Sequence, residues 1–184
     1  MPAYLLATKA AETKGLSSTV RCFVLNCAAD VSYRYFSSVP RTRADLEGAV
    51  APEDISEALS LIEDSLKMLE RTPVPKAVLN VSPPVYQGGP IASGMDPKSI
   101  PDPEARAEYE RRIAENDQAT EELNARRRLQ RSVRSLEVAI SGIVNTHGFE
   151  AQAQPLKALI TSSQLPAGIK AEMLGQQTTQ PAAP

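Results

Sequence analysis

The residues with the clearest chemical potential are Arg126, Arg127, Arg128, Arg131 and Arg134, because guanidinium forks along one helix face can take phosphate oxygens in pairs. Arg127, Arg131 and Arg134 fall on one side of such a helix and are the candidate polyanion contacts. No aromatic residue interleaves with them to stack a base, and a solvated face opposite an apolar stripe explains the same pattern. Nucleic-acid binding is therefore an alternative reading rather than the leading one.

Thiol or carboxylate chemistry is the second alternative, as a small helical hydrolase or lyase. Cys22 and Cys27 are the two cysteines and His147 the one histidine, so a thiol with an imidazole base can be written down, but no local sequence supports the pairing. Two thiols without a neighbouring histidine do not make a zinc set, and five helical positions put their side chains about 140° apart, beyond disulfide reach. Two buried thiols are the expectation. Asp117, Glu121 and Glu122 belong to a charged helix rather than a cleft-forming stretch, and His147 beside Gly148 is expected to meet terminal helix carbonyls. No phosphate-binding glycine loop, nucleophile elbow or metalloprotease pattern is present. We therefore assign no catalytic residue, metal or cofactor.

Pro83-Pro84-Val85-Tyr86 matches the P-P-x-Y pattern read by WW domains, where a preformed polyproline II segment lies across an aromatic groove. Pro83, Pro84 and Tyr86 form a possible peptide motif; the plainer reading is a rigid strap with Tyr86 packed on a helix. Asn80-Val81-Ser82 is a formal glycosylation sequon, discounted because Pro83 follows it.

These residues must be held by helices. The 184 residues, 42% hydrophobic with three phenylalanines and no tryptophan, can build one aliphatic core with appendages. Twenty basic against 22 acidic residues give no global attraction to nucleic acid or anionic membrane. No apolar run reaches the ~18 residues of a membrane span. Met1 to Ala11 lacks a basic region ahead of its apolar residues, so no signal peptide is read, and the expected location is cytoplasmic unless a leader has been removed.

Residues 1–72 form an N-terminal helical unit. Within it Ser17 to Phe36 is ambiguous: Val20, Phe23, Cys27, Val31 and Tyr35 step as a helix face, whereas Val31, Tyr33 and Tyr35 alternate as in a strand. Helix is favoured because Ser17 or Ser18 can cap it. Pro52-Glu53-Asp54 opens a clearer helix with Ile55, Leu59, Ile62, Leu66 and Leu69 on one face, stopped by Pro73. Residues 73–102 are a proline-rich strap: from Pro73 to Pro103, both included, there are eight prolines, excluding continuous helix and central strand.

The dominant element is a helix over 103–147, opened by Asp102-Pro103-Glu104 and stopped at His147-Gly148. Its apolar stripe changes sides. Ala105, Tyr109, Ile113 and Leu123 gather on one side of the first half, while Leu129, Val133, Leu136, Ile140 and Ile143 lie about 160° to 200° away at 100° per residue. A break at Asn124 to Arg128 would let both halves face one core, but no glycine or proline stands there. If the helix is unbroken, its first half meets another subunit, a partner helix or the strap. Residues 148–174 form short helices, one opening at Gln154-Pro155 and another at Pro166, and 175–184 a loose tail.

Ser93-Gly94, Pro97, Ile100, Asp102-Pro103, Arg106-Ala107, Tyr109-Glu110, Ile113 and Asn116 resemble a segment of uncharacterised, often exported bacterial proteins. That resemblance covers about an eighth of the chain and implies a loop ending in Asp-Pro that leads into a charged helix, in a bacterial protein; it implies no activity. The sequence thus specifies a mostly α-helical, non-enzymatic interaction or scaffolding protein. Its expected partner, a second copy or a foreign protein, would bury Tyr109, Ile113 and Leu123 in coiled-coil fashion, with no membrane span.

Overall fold

The computed structural model describes residues 13, 15–39, 50–78, 81 and 94–176. Pro83, Pro84 and Tyr86, the sequon's Asn80 and Ser82, the segment Met1 to Ala11 and nearly all of the C-terminal tail lie outside the described residues. The described chain is mostly helical: α1 Ser18–Ser38, α2 Pro52–Arg71, a 3-10 turn Pro97–Ser99, α3 Pro103–Val144, α4 Glu150–Ser162 and α5 Ala167–Met173. It divides into two compact units, residues 1–72 with 127–184, and residues 73–126. The division falls inside the long helix.

In the first unit α1 is helical, capped by the Ser17 hydroxyl, which accepts from the Val20 amide at 3.3 Å. Its core face is Cys22, Leu25, Ala28, Ala29, Ser32 and Phe36. This corrects the expected face, because Val20, Phe23 and Val31 are exposed and Cys27 is an exposed thiol, not a buried one. The helix is apolar on both sides, so periodicity alone does not choose between them; small Ala28, Ala29 and Ser32 permit the close helix approach that the opposite side does not. Helix α2 packs against α1 and buries Ile55, Ala58, Leu59, Leu61, Ile62, Ser65 and Leu69. The Cys22 thiol donates to the Met68 sulfur at 3.8 Å near one end of the pair, and the Tyr35 hydroxyl to Asp54 at 2.9 Å near the other. The two helices are therefore antiparallel.

Leu129, Val133, Leu136, Ile140 and Ile143 are all buried, as the stripe predicts, and Ser132 donates to Asn26 of α1 at 2.9 Å. Helix α3 ends at Val144, short of the expected stop, and Gly148 is not its cap: at φ +80° it is the third residue of the following turn, which the Phe149 amide closes by donating to the Thr146 carbonyl at 3.2 Å. Helix α4 begins at Glu150, one turn before the expected Gln154-Pro155 opening, and Pro155 lies inside it. Buried Phe149 and Ala153 anchor that extra turn, and Glu150 holds its entry by accepting from the Gly148 amide at 3.0 Å. Helix α5 is tied back to α3, since the Asn145 amide donates to the Met173 carbonyl at 2.9 Å.

In the second unit, α3 starts at a cap: the Asp102 carboxylate accepts from the amides of Glu104 at 2.9 Å and Ala105 at 3.5 Å. Helix α3 runs unbroken through Asn124 to Arg128. Its 42 residues span roughly 63 Å at 1.5 Å per residue. No helix among the described residues is long and apolar enough to cross a membrane.

Candidate functional site

The strap and the first half of α3 are joined at Arg106, Tyr109 and Asn116, spaced three and seven residues apart, so all lie on one side of the helix. Arg106 donates from Nε at 3.1 Å and Nη2 at 2.6 Å to the Ile100 carbonyl, fixing the turn that leads into the helix. One turn on, Tyr109 is buried and its hydroxyl accepts from the Gly94 amide at 3.1 Å. Gly94 has φ +81°, a conformation that favours glycine, and this aims its amide at the phenol. Two turns further, Asn116 reads the backbone of one strap residue in both directions: its Oδ1 accepts from the Val78 amide at 2.8 Å and its Nδ2 donates to the Val78 carbonyl at 3.2 Å.

These bonds surround a small apolar cluster of Ile100, Ala105 and Tyr109, with Val81 and Ile113 packed against it. The 3-10 turn supports the cluster from the strap side, since Asp96 caps it by accepting from the Lys98 amide at 3.0 Å. The phenol thus serves twice, filling the cluster with its ring and holding a strap amide with its oxygen.

The outer face is electrostatic. Glu108 accepts from Arg111 at 2.9 Å and Arg112 at 2.7 Å, and these hydrogen bonds hold its carboxyl at a pKa of about 2. Arg111 also pairs with Glu115. From Ala114 to Ala125 no side chain is buried. This stretch carries Glu115, Asp117, Glu121 and Glu122 with no basic residue. The half-buried Ala119 and Leu123 continue the helix face on which Asn116 meets Val78.

The three residues expected to meet a partner therefore differ. Tyr109 is closed off by the chain's own strap, Ile113 is half-buried beside it, and Leu123 is half-buried further along the helix than Asn116, where the Val78 hydrogen bonds fall. Among the arginines, Arg127 and Arg131 are exposed, whereas Arg134 is held by Glu137 at 3.0 Å and by Glu172 of α5. Two carboxylates on one guanidinium leave that position poorly disposed to a phosphate. Arg134, Glu137, Val138, Ser141, Glu172 and Met173 line a shallow hollow of about 80 Å³. Burial raises the Glu137 carboxyl pKa, with Arg134 opposing.

Asp117 and Glu121 are exposed on the helix surface. His147 also departs from expectation: its side chain is fully exposed, with Nδ1 3.7 Å from Glu150, instead of meeting helix carbonyls. Among the described residues no group of histidine, cysteine and acidic side chains could hold a metal ion. Arg106, Gly94 and Asn116 are the site residues that charge and periodicity pass over. In the stretch from Gly94 to Asn116, Asp102 is the cap of α3, Arg106 holds the Ile100 carbonyl, and Tyr109 and Asn116 make the contacts to Gly94 and Val78. Comparison with protein-family models, with curated proteins and with solved structures finds no match.

Proposed function

We propose that this protein is a non-enzymatic interaction or scaffolding protein that binds a protein partner along the middle of its long helix, from Ala114 to Ala125. The observation that carries this reading is twelve consecutive helical residues without one buried side chain, following a segment clamped by its own strap. A helix that is polar over several turns gains little from its own core, and its persistence suits an element that bridges or binds. Leu123 and Ala119 supply the apolar contacts. Glu115, Asp117, Glu121 and Glu122 set register and favour a partner helix with a basic flank.

Tyr109 enters this reading as a positioning residue: it fixes the strap, which limits the available face to the turns beyond Asn116. The test is affinity capture from the source cells with wild type and with Ala119→Asp plus Leu123→Asp, the retained proteins being identified by mass spectrometry. A specific protein retained by wild type and lost from the double variant, at unchanged helix content, supports the reading. Equal retention by both chains, or loss of folding in the variant, assigns this face to the protein's own structure.

A further inference from the structure

Helix α1 carries a further apolar surface, separate from α3, that no element packs against among the described residues. Val20, Phe23, Cys27 and Val31 recur at three- and four-residue steps on the side opposite the core face of Leu25, Ala29, Ser32 and Phe36. Phe23 is 61% exposed, Val31 46% and Val20 42%, and the Cys27 thiol is exposed. Val24 lies half-buried beside them. In a helix whose other side already faces a core, these apolar groups add nothing to the fold as described.

Their order is symmetric about Cys27. Phe23 and Val31 lie four residues to either side of it, and Val20 and Arg34 seven. A face with this order fits itself when a second copy lies antiparallel, because a twofold axis through Cys27 brings Phe23 onto Val31 of the second copy and Val20 onto the Arg34 stem. Large meets small at each contact. We infer that α1 is a self-association surface, pairing antiparallel with α1 of a second copy about Cys27.

Charge selects this direction. Asp30 and Arg34, joined at 2.8 Å, flank the stripe at one end. An antiparallel pair places the Arg34 guanidinium beside the Phe23 ring of the second copy, a favourable cation–π arrangement. A parallel pair would instead set Arg34 on Arg34 and Asp30 on Asp30. Area allows only a weak, reversible dimer: the exposed parts of Phe23, Val31 and Val20 come to roughly 200 Å² of apolar surface per copy, taking ~200 Å² for an aromatic ring and ~100 Å² for a valine. At the usual apolar share of interfaces, two copies would bury about 700 Å² in all, below the size of stable complexes and in keeping with a weak, transient association. This inference does not rest on the partner reading of α3.

Sedimentation velocity over a concentration series reaching the high micromolar range tests it. Wild type is expected to pass from monomer to dimer, and both Phe23→Asp and Val31→Lys to remain monomeric with unchanged circular dichroism. In a Cys27→Ser background, chains carrying Val20→Cys and chains carrying Arg34→Cys are expected to be joined to one another by a short bismaleimide, and neither to itself. A wild-type monomer at every concentration, a dimer unaffected by both stripe variants, or self-linking of Val20→Cys would overturn the inference. None of these outcomes bears on capture of a foreign partner by α3, so the two readings fail separately.

Discussion

Tyr109→Ala isolates the strap's attachment from the rest of the fold. The ring is buried and forms the largest member of a cluster with Ile100 and Ala105. Removing an aromatic ring from a packed site costs about 3 to 5 kcal/mol, and the Gly94 amide loses its acceptor, worth about 0.5 to 1.5 kcal/mol. Among the described residues, the attachments left include the Asn116 pairing with Val78 and the Arg106 bond to Ile100, both at partly exposed positions, and the packing of Val81. A cluster this small cannot absorb that loss, so the strap should open locally. The Cys22 thiol, buried in the other unit against Met68, should stay protected.

Hydrogen exchange at Gly94 and Ile100, read beside the labelling rate of Cys22, separates the outcomes. Tyr109→Ala is expected to speed exchange in the strap by two or more orders of magnitude, corresponding to about 3 kcal/mol, at unchanged Cys22 labelling. Tyr109→Phe should keep the cluster and accelerate only Gly94, by about fivefold for a bond of about 1 kcal/mol. Equal acceleration of both reporters by Tyr109→Ala would refute local attachment. No acceleration would show that the phenol does not hold the strap.

Three further outcomes follow from the geometry. Leu136→Ala, at a fully buried position of the second stripe, should lower global stability by about 2 to 5 kcal/mol in urea unfolding. Glu108 has a pKa depressed from 4.5 to about 2, so its advantage over Glu108→Gln should be complete above the ordinary carboxylate value and vanish as pH falls toward 2, read as the difference between the two acid-unfolding curves. Glu137 has its pKa raised by burial, so the sign reverses: wild type should lose stability relative to Glu137→Gln as pH rises through that raised value, read as the difference in thermal midpoints across mildly acidic to neutral pH.

The helices were legible where periodicity and end signals agreed. Pro52-Glu53-Asp54 with Ile55, Leu59, Ile62 and Leu69 specifies α2, and Leu129 to Ile143 specifies the buried stripe of α3. The face of α1 was not, because Val20, Phe23, Cys27 and Val31 are as apolar as the residues that form the core; packing of Ala28, Ala29 and Ser32 decides between the two sides. Pro155 misled for a related reason: a proline is tolerated in the helix when Phe149 and Ala153 bury the preceding turn. At the candidate site the stripe of Ala105, Tyr109 and Ile113 was visible as apolar spacing. Its covering by the strap was visible only as one alternative, since the contacts that fix it run from Asn116, Arg106 and Tyr109 to backbone groups, which side-chain periodicity does not encode. The engagement of Arg134 by Glu137 and Glu172 likewise depends on α5 returning beside α3.

The central claim, that α3 binds a protein partner between Ala114 and Ala125, is tested most directly by photo-cross-linking in the source cells, with a photoreactive residue placed in turn at Gln118, Ala119, Leu123 and, on the second half of the same helix, Val138. The account predicts one partner joined from Ala119 and Leu123, with little product from the Val138 control. A chain that cross-links to nothing from either Ala119 or Leu123, or equally from Val138, would contradict it.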